Sequence, residues 1–428
     1  MPRARGANAI MAGAYALAYG GVPASGYRKL PFVSANLGEE QGLIDSDLLG
    51  YGRNAQAPGR DVINNEGDVV VPVDLRNFGW WLKLLLGAPT DTVGAAATGK
   101  FDFTAQPAAS ATISVGGTAF TFVSTLTTGN QIKIGATLAE TLANAVYALN
   151  ASAVPAVAAA SYRADISGAS ILVTHDTVGT AGNSFALAAS TTPVSNATPS
   201  AATLAGGATT GATNHVYTAG GLVLPDAAIE IGMPDVPSYG MNFGCMANTL
   251  AIPLQRSGLL NATIGVIAQG ETRAATSGAG TPGEWPIERF SQFTGEIRRD
   301  GVPLGNVVSG RFNLSNNLDK VEVIRRDGRI AGADPAMLAV TGEAVVRFSD
   351  TQLMDLATAG TPIELAYGWS IGAGKSLEVV AHNVHLPKPK TPITGPNGVQ
   401  ATFGWQGSEH PALKKVATIT LVNDVTAY

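Results

Sequence analysis

Apolar residues in this chain recur at every second position far more often than at the helical period. In residues 248–269, NTLAIPLQRSGLLNATIGVIAQ, Asn248, Leu250, Ile252 and Leu254 share one face. After Arg256-Ser257-Gly258, Ala262, Ile264, Val266 and Ala268 share another. Two period-two runs around a polar, Gly-bearing break predict a β-hairpin. The helical period surfaces only locally. Phe78, Trp81, Leu82 and Leu85 form an i, i+3, i+4, i+7 stripe after Asp74, a fair N-cap, and before a stop at Gly87. Leu353 and Leu356 do the same between a cap at Ser349 or Asp350 and Gly360. The Trp80-Trp81 pair reads as core packing.

These elements recur in order. Ala262-Thr263-Ile264-x-Val266 is echoed by Ala417-Thr418-Ile419-x-Leu421. VSANL (33–37) matches LSNNL (314–318), GDVVVPVD (67–74) matches GEAVVRFSD (342–350), and LLLGAP (84–89) matches LATAGTP (356–362). IEIGMPDV (229–236) matches LEVVAHNV (377–384), setting Glu230 against Glu378. Five collinear matches imply an internal duplication of a strand-rich unit with one helix, a β-sandwich or barrel flanked by that helix. From Pro89 to Glu230 is 141 residues but from Pro362 to Glu378 only 16, so the first copy carries an insertion of about 125 residues.

The insertion, poor in charge and rich in Ala, Thr, Ser and Gly, reads as a small α+β domain. ATISVGGTAFTFVS is a hairpin around Gly116-Gly117. In ATLAETLANAVYALNAS, Thr137 and Glu140 make a capping box ahead of a Leu138, Leu142, Val146, Leu149 stripe. The predicted fold is mainly β with α+β elements. Residues 1–29 are an N-terminal arm, 30–98 with 216–284 the first sandwich or barrel domain, 99–215 the inserted domain, and 285–428 the second sandwich or barrel domain. Arg3 and Arg5 precede only Ile10, Met11 and Leu17 as strong hydrophobes, too few for the apolar core of a signal peptide, so the arm is expected to be flexible.

Composition narrows the function. Hydrophobic residues are 45 % of the 428, enough for real cores, while charged residues are only 14 % against the usual quarter or so. So weakly charged a surface suits burial between subunits. The net charge of −5 lacks the basic footprint of a protein that grips nucleic acid. One cysteine, Cys245, excludes an intrachain disulfide. No apolar run approaches the length of a membrane-spanning helix. Gly374-Lys375-Ser376 resembles the end of a phosphate-binding loop, but Trp369 stands where the motif needs Gly and 377–380 reads as a strand where it needs a helix. His382 and His385, three apart on a strand, point to opposite faces, and His175, His215 and His410 have no ligand-like neighbours. No catalytic residue, metal ligand or cofactor site is expected, and no enzyme.

GYRKLPFVSANLG, LIDSDLLGYGR, GDVVVPVDLRNFGWWLKLLLGAP and the closing ATITLVND resemble the major tail tube proteins of long, non-contractile-tailed bacteriophages (siphophages). GGTAFTFV, IGATLAETLANAVYALNA and GTAGNSFAL resemble a small domain of phage tail proteins. The resemblance implies a structural subunit of the virion tail, assembled in the bacterial host cytoplasm. Its rings of six units stack into a hollow tube that holds the tape-measure protein and then passes double-stranded DNA during ejection. Tail terminator and distal tail proteins close the ends, and no membrane is involved. With two units per chain, a homotrimer gives a pseudo-hexameric ring. The lumen is expected to be neutral or acidic, because Lys and Arg would hold phosphates. The insertion is expected to project outward.

Two loops are candidates for ring-to-ring contact: 39–67, with Leu48, Leu49, Arg53, Arg60 and Asp61, and 319–337, with Ile324, Arg325, Arg326 and Arg329. The alternative from the residues alone is a virion or secreted adhesin, a carbohydrate-binding β-sandwich protein recognising its target through the insertion.

Overall fold

The computed structural model describes residues 3–391 and 398–428; Met1 and Pro2 of the expected arm lie outside the described residues. The chain is mainly β, with antiparallel ladders, no closed barrel and, among the described residues, three α-helices. It begins with β1 (Ile10–Tyr15), β2 (Arg28–Lys29), β3 (Ser34–Ala35), β4 (Gly38–Ile44), β5 (Gly59–Pro72) and helix α1 (Phe78–Leu86). An excursion follows through β6 (Thr90–Phe103), β7 (Thr112–Val115), β8 (Thr118–Val123), β9 (Gln131–Lys133), helix α2 (Leu138–Asn150), β10 (Ala160–Ala164), β11 (Ser170–Val178), β12 (Leu187–Ala189), β13 (Ala197–Pro199) and β14 (Ala208–Thr218). The chain returns as β15 (Ala227–Met233), β16 (Ser238–Leu254), β17 (Asn261–Ala268) and β18 (Gly270–Ala274). The second half comprises β19 (Gly295–Arg299), β20 (Val302–Pro303), β21 (Val307–Ser315), β22 (Asp319–Val321), β23 (Gly332–Asp334), β24 (Ala339–Arg347) and helix α3 (Gln352–Ala359). It ends with β25 (Ile363–Gly372), β26 (Lys375–His385), β27 (Gln400–Gly407) and β28 (Ala417–Asn423).

The two halves share one pairing circuit. In the first, β1 pairs with β15, β15 with β16, and the start of β16 with β18; the end of β16 pairs with β17, β17 with β5, and β5 with β3 and β4. In the second, β19 pairs with β25, β25 with β26, and β26 with β28; the end of β26 pairs with β27, β27 with β24, and β24 with β21. Each unit is therefore two packed layers with one long strand, β16 or β26, serving both. A single apolar core runs through both units.

The duplication is real, but three of the five expected matches were out of register. GDVVVP and GEAVVR do align, as do Gly87 and Gly360, which end α1 and α3. On that frame Ala262 faces Val71 as Ala401 faces Val346, so NATIGV answers to QATFGW at 400–405. The expected echo at 417–421 lies instead on β28, the counterpart of β18. Ile229 faces Asn242 as Leu365 faces Ala381, so Ala227-Ala228-Ile229 on β15 answers to Ile363-Glu364-Leu365 on β25, and IEIGMPDV does not answer to the strand carrying Glu378. Ser34 faces Val70 as Ser309 faces Val345, so VSAN aligns six residues before LSNNL. Period-two runs look alike after any even slide, and only the cross-strand partner fixes register.

Residues 10–15, assigned by sequence to the arm, form the buried strand β1 between β15 and β2. Gly13 admits the ring of Trp80: a Cβ there would lie 2.6 Å from it. The excursion has its own core of Phe101, Phe122, Ile132, Leu142, Val146 and Leu149. Gly116 and Gly117 take the positive φ of the expected hairpin, and Thr137 caps α2 by accepting from the Glu140 N–H at 3.2 Å. Its stalk crosses to the other unit. β14 pairs with β6 on one side and with β28 on the other.

The N-cap position of helix α1 is Asn77, whose side chain makes no capping bond, and Asp74, expected there, caps the helix from three residues earlier. The Asp74 carboxylate accepts from the Asn77 and Phe78 backbone N–H groups at 3.1 and 3.0 Å, satisfying donors that a helix start leaves free. Burial pushes this carboxyl group up, opposed by those hydrogen bonds. Replacing it with Asp74→Ala is expected to destabilise the chain by about 1–2 kcal/mol. Equilibrium urea unfolding measures this, and an unchanged midpoint would show that the cap contributes nothing.

Candidate assembly surfaces

One layer runs without a break through both units, in the order β3–β4, β5, β17, β16, β21, β24, β27. Its register is visible as rows. Ala35, Val69, Ile264, Leu250, Leu314 and Val340 stand opposite one another in turn and point into the core. The neighbouring row, Ser34, Val70, Thr263, Ala251, Asn313, Thr341 and Gln406, points away from it. The outward face is mostly hydroxyl, amide and glycine. Its charges are sparse: Glu40, Glu66, Asp68 and Glu343 against Arg311 and Arg347, with Glu66 bonded to Lys320 at 2.8 Å. Such a surface offers hydrogen bonds without a positive field.

The seam between units is the β16–β21 ladder, from Thr249 opposite Ser315 to Leu254 opposite Gly310. Helix α1 sits beside it and is buried on every side, with Trp80, Leu84 and Leu86 enclosed as well as the expected stripe. The second unit supplies much of the cover. Asn316 donates to the Leu85 carbonyl at 2.8 Å, and Asn423 donates to the Leu75 carbonyl at 2.6 Å. The Tyr428 hydroxyl donates to the Arg76 carbonyl at 2.6 Å, and its ring lies so close that a Cβ on Gly79 would meet it at 2.1 Å. Arg76 makes two hydrogen bonds to Asp424, at 2.7 and 2.8 Å. Burial raises the Tyr428 phenol well above its ordinary range, keeping it a neutral donor. His215 on β14 completes the cluster, its ring nitrogens facing Asp91 at 2.6 Å and Asn423 at 3.0 Å. The counterpart helix α3 has no buried residue at all.

The expected contact residues divide into two groups. In the loop after β21, Leu318, Ile330 and Ala333 pack on Leu224, Met246 and Ile267 of the first unit. Arg329 belongs to this seam: it donates to the Glu39 carboxylate at 2.8 Å and lies 5.3 Å from the Phe243 ring centroid. Ile324, Arg325 and Arg326 stay exposed at the loop tip, with Arg325 bonded to Asp327 at 2.9 Å. Leu48, Leu49 and Arg53 are exposed between β4 and β5, while Arg60 and Asp61 lie on the β5 edge that pairs with β4. Sequence reasoning missed Asn316, Asn423 and Tyr428. Each is a single polar contact outside any periodic run, and only the pairing circuit brings it to α1.

The remaining chemistry-bearing residues are structurally engaged. Gly374-Lys375-Ser376 is the turn from β25 into β26, with Lys375 bonded to Glu288 at 2.7 Å. His382 meets Thr418 at 2.8 Å and His385 meets Ser408 at 2.9 Å, so the two do not converge. Cys245 is fully buried, and burial pushes its thiol up, away from the reactive thiolate.

A family model described as phage tail tube protein matches the chain twice, over residues 6–184 and 173–407. The change from one match to the other falls inside the excursion. A search of curated proteins finds no match.

The seam generates a direct expectation. Arg329→Ala removes both the Glu39 ion pair and the stacking on Phe243, so the loop tip should open and trypsin should cut at Arg325 or Arg326 several-fold faster than in the unaltered chain. Time-resolved proteolysis read by mass spectrometry checks this; an unchanged cleavage rate would mean that Arg329 does not hold the loop.

Proposed function

The chain belongs to the family of phage tail tube proteins, structural virion components that stack as an oligomer into a tube, and we propose that three copies close one ring of six units around a channel for double-stranded DNA. One observation carries the reading: a seven-stranded layer crosses the internal seam in register, carries almost no net charge on its outward face, and is open at both ends. The β21 edge is covered by β16, whereas among the described residues nothing pairs with the matching edge of β3 and β4. The end of β16 is paired on both sides, whereas residues 386–391, which follow β26, lie in no strand.

Repeating the internal seam between chains would pair those free edges. A head-to-tail contact of this kind joins unlike surfaces and ends only when its rotation closes. Six units close when three chains have joined. The outward polar face then lines the channel, neutral to weakly acidic, and duplex passes without phosphate capture. The excursion is carried on β28, in the other layer, which supports its outward placement. Within a long, non-contractile tail the same lumen would hold the tape-measure protein before ejection, with terminator and distal proteins at the two ends and assembly in the host cytoplasm. A free-standing adhesin would leave both strand edges unpaired, a known route to aggregation.

Negative-stain micrographs of the purified protein should show rings or hollow rods, and native mass spectrometry of single rings should give three chains. Six chains per ring, or monomers under all assembly conditions, would overturn the proposal. The double substitution Thr263→Arg with Thr341→Arg should leave tubes intact but slow DNA release from virions, with the slowing relieved as salt rises. Release at the unaltered rate would show that this face does not meet DNA.

A further inference from the structure

Resting on the ring reading, we propose that the β4–β5 loop, residues 45–58, is a lateral clasp that lies on the second unit of the neighbouring chain. The template is inside the chain. Glu40 faces Asn64 as Ser315 faces Ala339, so the loop after β4 is the counterpart of the loop after β21. The latter turns back across the first unit and buries Leu318 and Ile330 there. The former has no such surface in its own chain. Leu48 is 59 % exposed, Leu49 92 % and Tyr51 66 %, a concentration of apolar area that an isolated soluble chain has no reason to keep.

The docking face follows from the same register. Met246 and Ile267, which receive Leu318 and Ile330, stand opposite each other and answer to His385 and Gln406, also opposite each other and both exposed. Beside them lie the exposed Lys388 and Lys390. Charge fits this assignment and its direction. At the internal seam Arg329 and Lys320 of the loop after β21 meet acidic Glu39 and Glu66. Across chains the signs reverse: the clasp brings Asp45 and Asp47 to a face carrying Lys388 and Lys390. Exchanging the loops would set Arg329 and Lys320 against Lys388 and Lys390, and Asp45 and Asp47 against Glu39 and Glu66, so like charges disfavour any but the alternating order. The clasp thus acts within a ring, not between rings.

The test uses the full-length protein carrying Leu49→Cys on the clasp and Gln406→Cys on the docking face, assembled and then oxidised. Cys245, being buried, stays silent. Non-reducing denaturing gels should show crosslinked species of two and three chains and none larger. A ladder beyond three chains, or no crosslink in rings that look normal by electron microscopy, overturns the clasp while leaving the ring reading intact. Absence of rings from the unaltered protein overturns both. A second variant separates binding from folding. Lys388→Glu with Lys390→Glu should abolish ring formation at a protein concentration where the unaltered chain assembles fully, and adding Asp45→Lys with Asp47→Lys should restore it. No loss, or loss without rescue, overturns the charge pairing.

Discussion

A β-strand presents a row of N–H and C=O groups along each edge, and every one of them needs a partner. Inside this chain that demand is met at the β16–β21 ladder, where the last strand of one unit becomes the neighbour of the first long strand of the next. The rest of the architecture depends on that ladder. It aligns the core rows of the two repeated units, so one apolar interior runs through both. It also aligns their outward rows, turning two small polar patches into one continuous wall.

The two helices show what the seam contributes. α1 and α3 occupy the same place in the same circuit and end at corresponding glycines. α1 is sealed by Asn316, Asn423 and Tyr428 from the second unit, and its sequence, FGWWLKLLL, is apolar at every position but Lys83. α3, QLMDLATA, has no such neighbour within the chain and keeps polar residues among its apolar ones. A sequence adapts to the cover its position receives. The contrast between these two helices therefore maps where packing is complete within one chain and where it is not.

Much of this was legible in the residues. The hairpin at 248–269, both helix stops, the α2 capping box and the existence of the repeat all follow from periodicity and cap chemistry, which are local signals. What stayed hidden was non-local. Register between copies was misjudged because alternating Val, Ile, Thr and Ala fit one another at many offsets, and cross-strand partners alone choose among them. β1 was overlooked because Ala12, Gly13 and Ala14 carry little hydrophobic signal. Gly13 is bare because Trp80 needs the space, while Ala12 and Ala14 face the other way, into a small cluster with Tyr27, Ala228 and Met241. The residues around Leu48 and Leu49 were legible as a loop, but its kinship with the loop after β21 was not, since that follows only from the register of β4 and β21.

The stalk of the inserted domain has a practical corollary. β14 is shared: it leaves the small domain, passes β6, and lies along β28 in the opposite half of the molecule. An engineer wishing to mount foreign cargo on this scaffold should treat 90–95 and 208–218 as part of the frame and exchange only what lies beyond them. Cutting at the apparent sequence boundary, 99–215, would take most of β14 away from β28 and remove His215 from its place between Asp91 and Asn423.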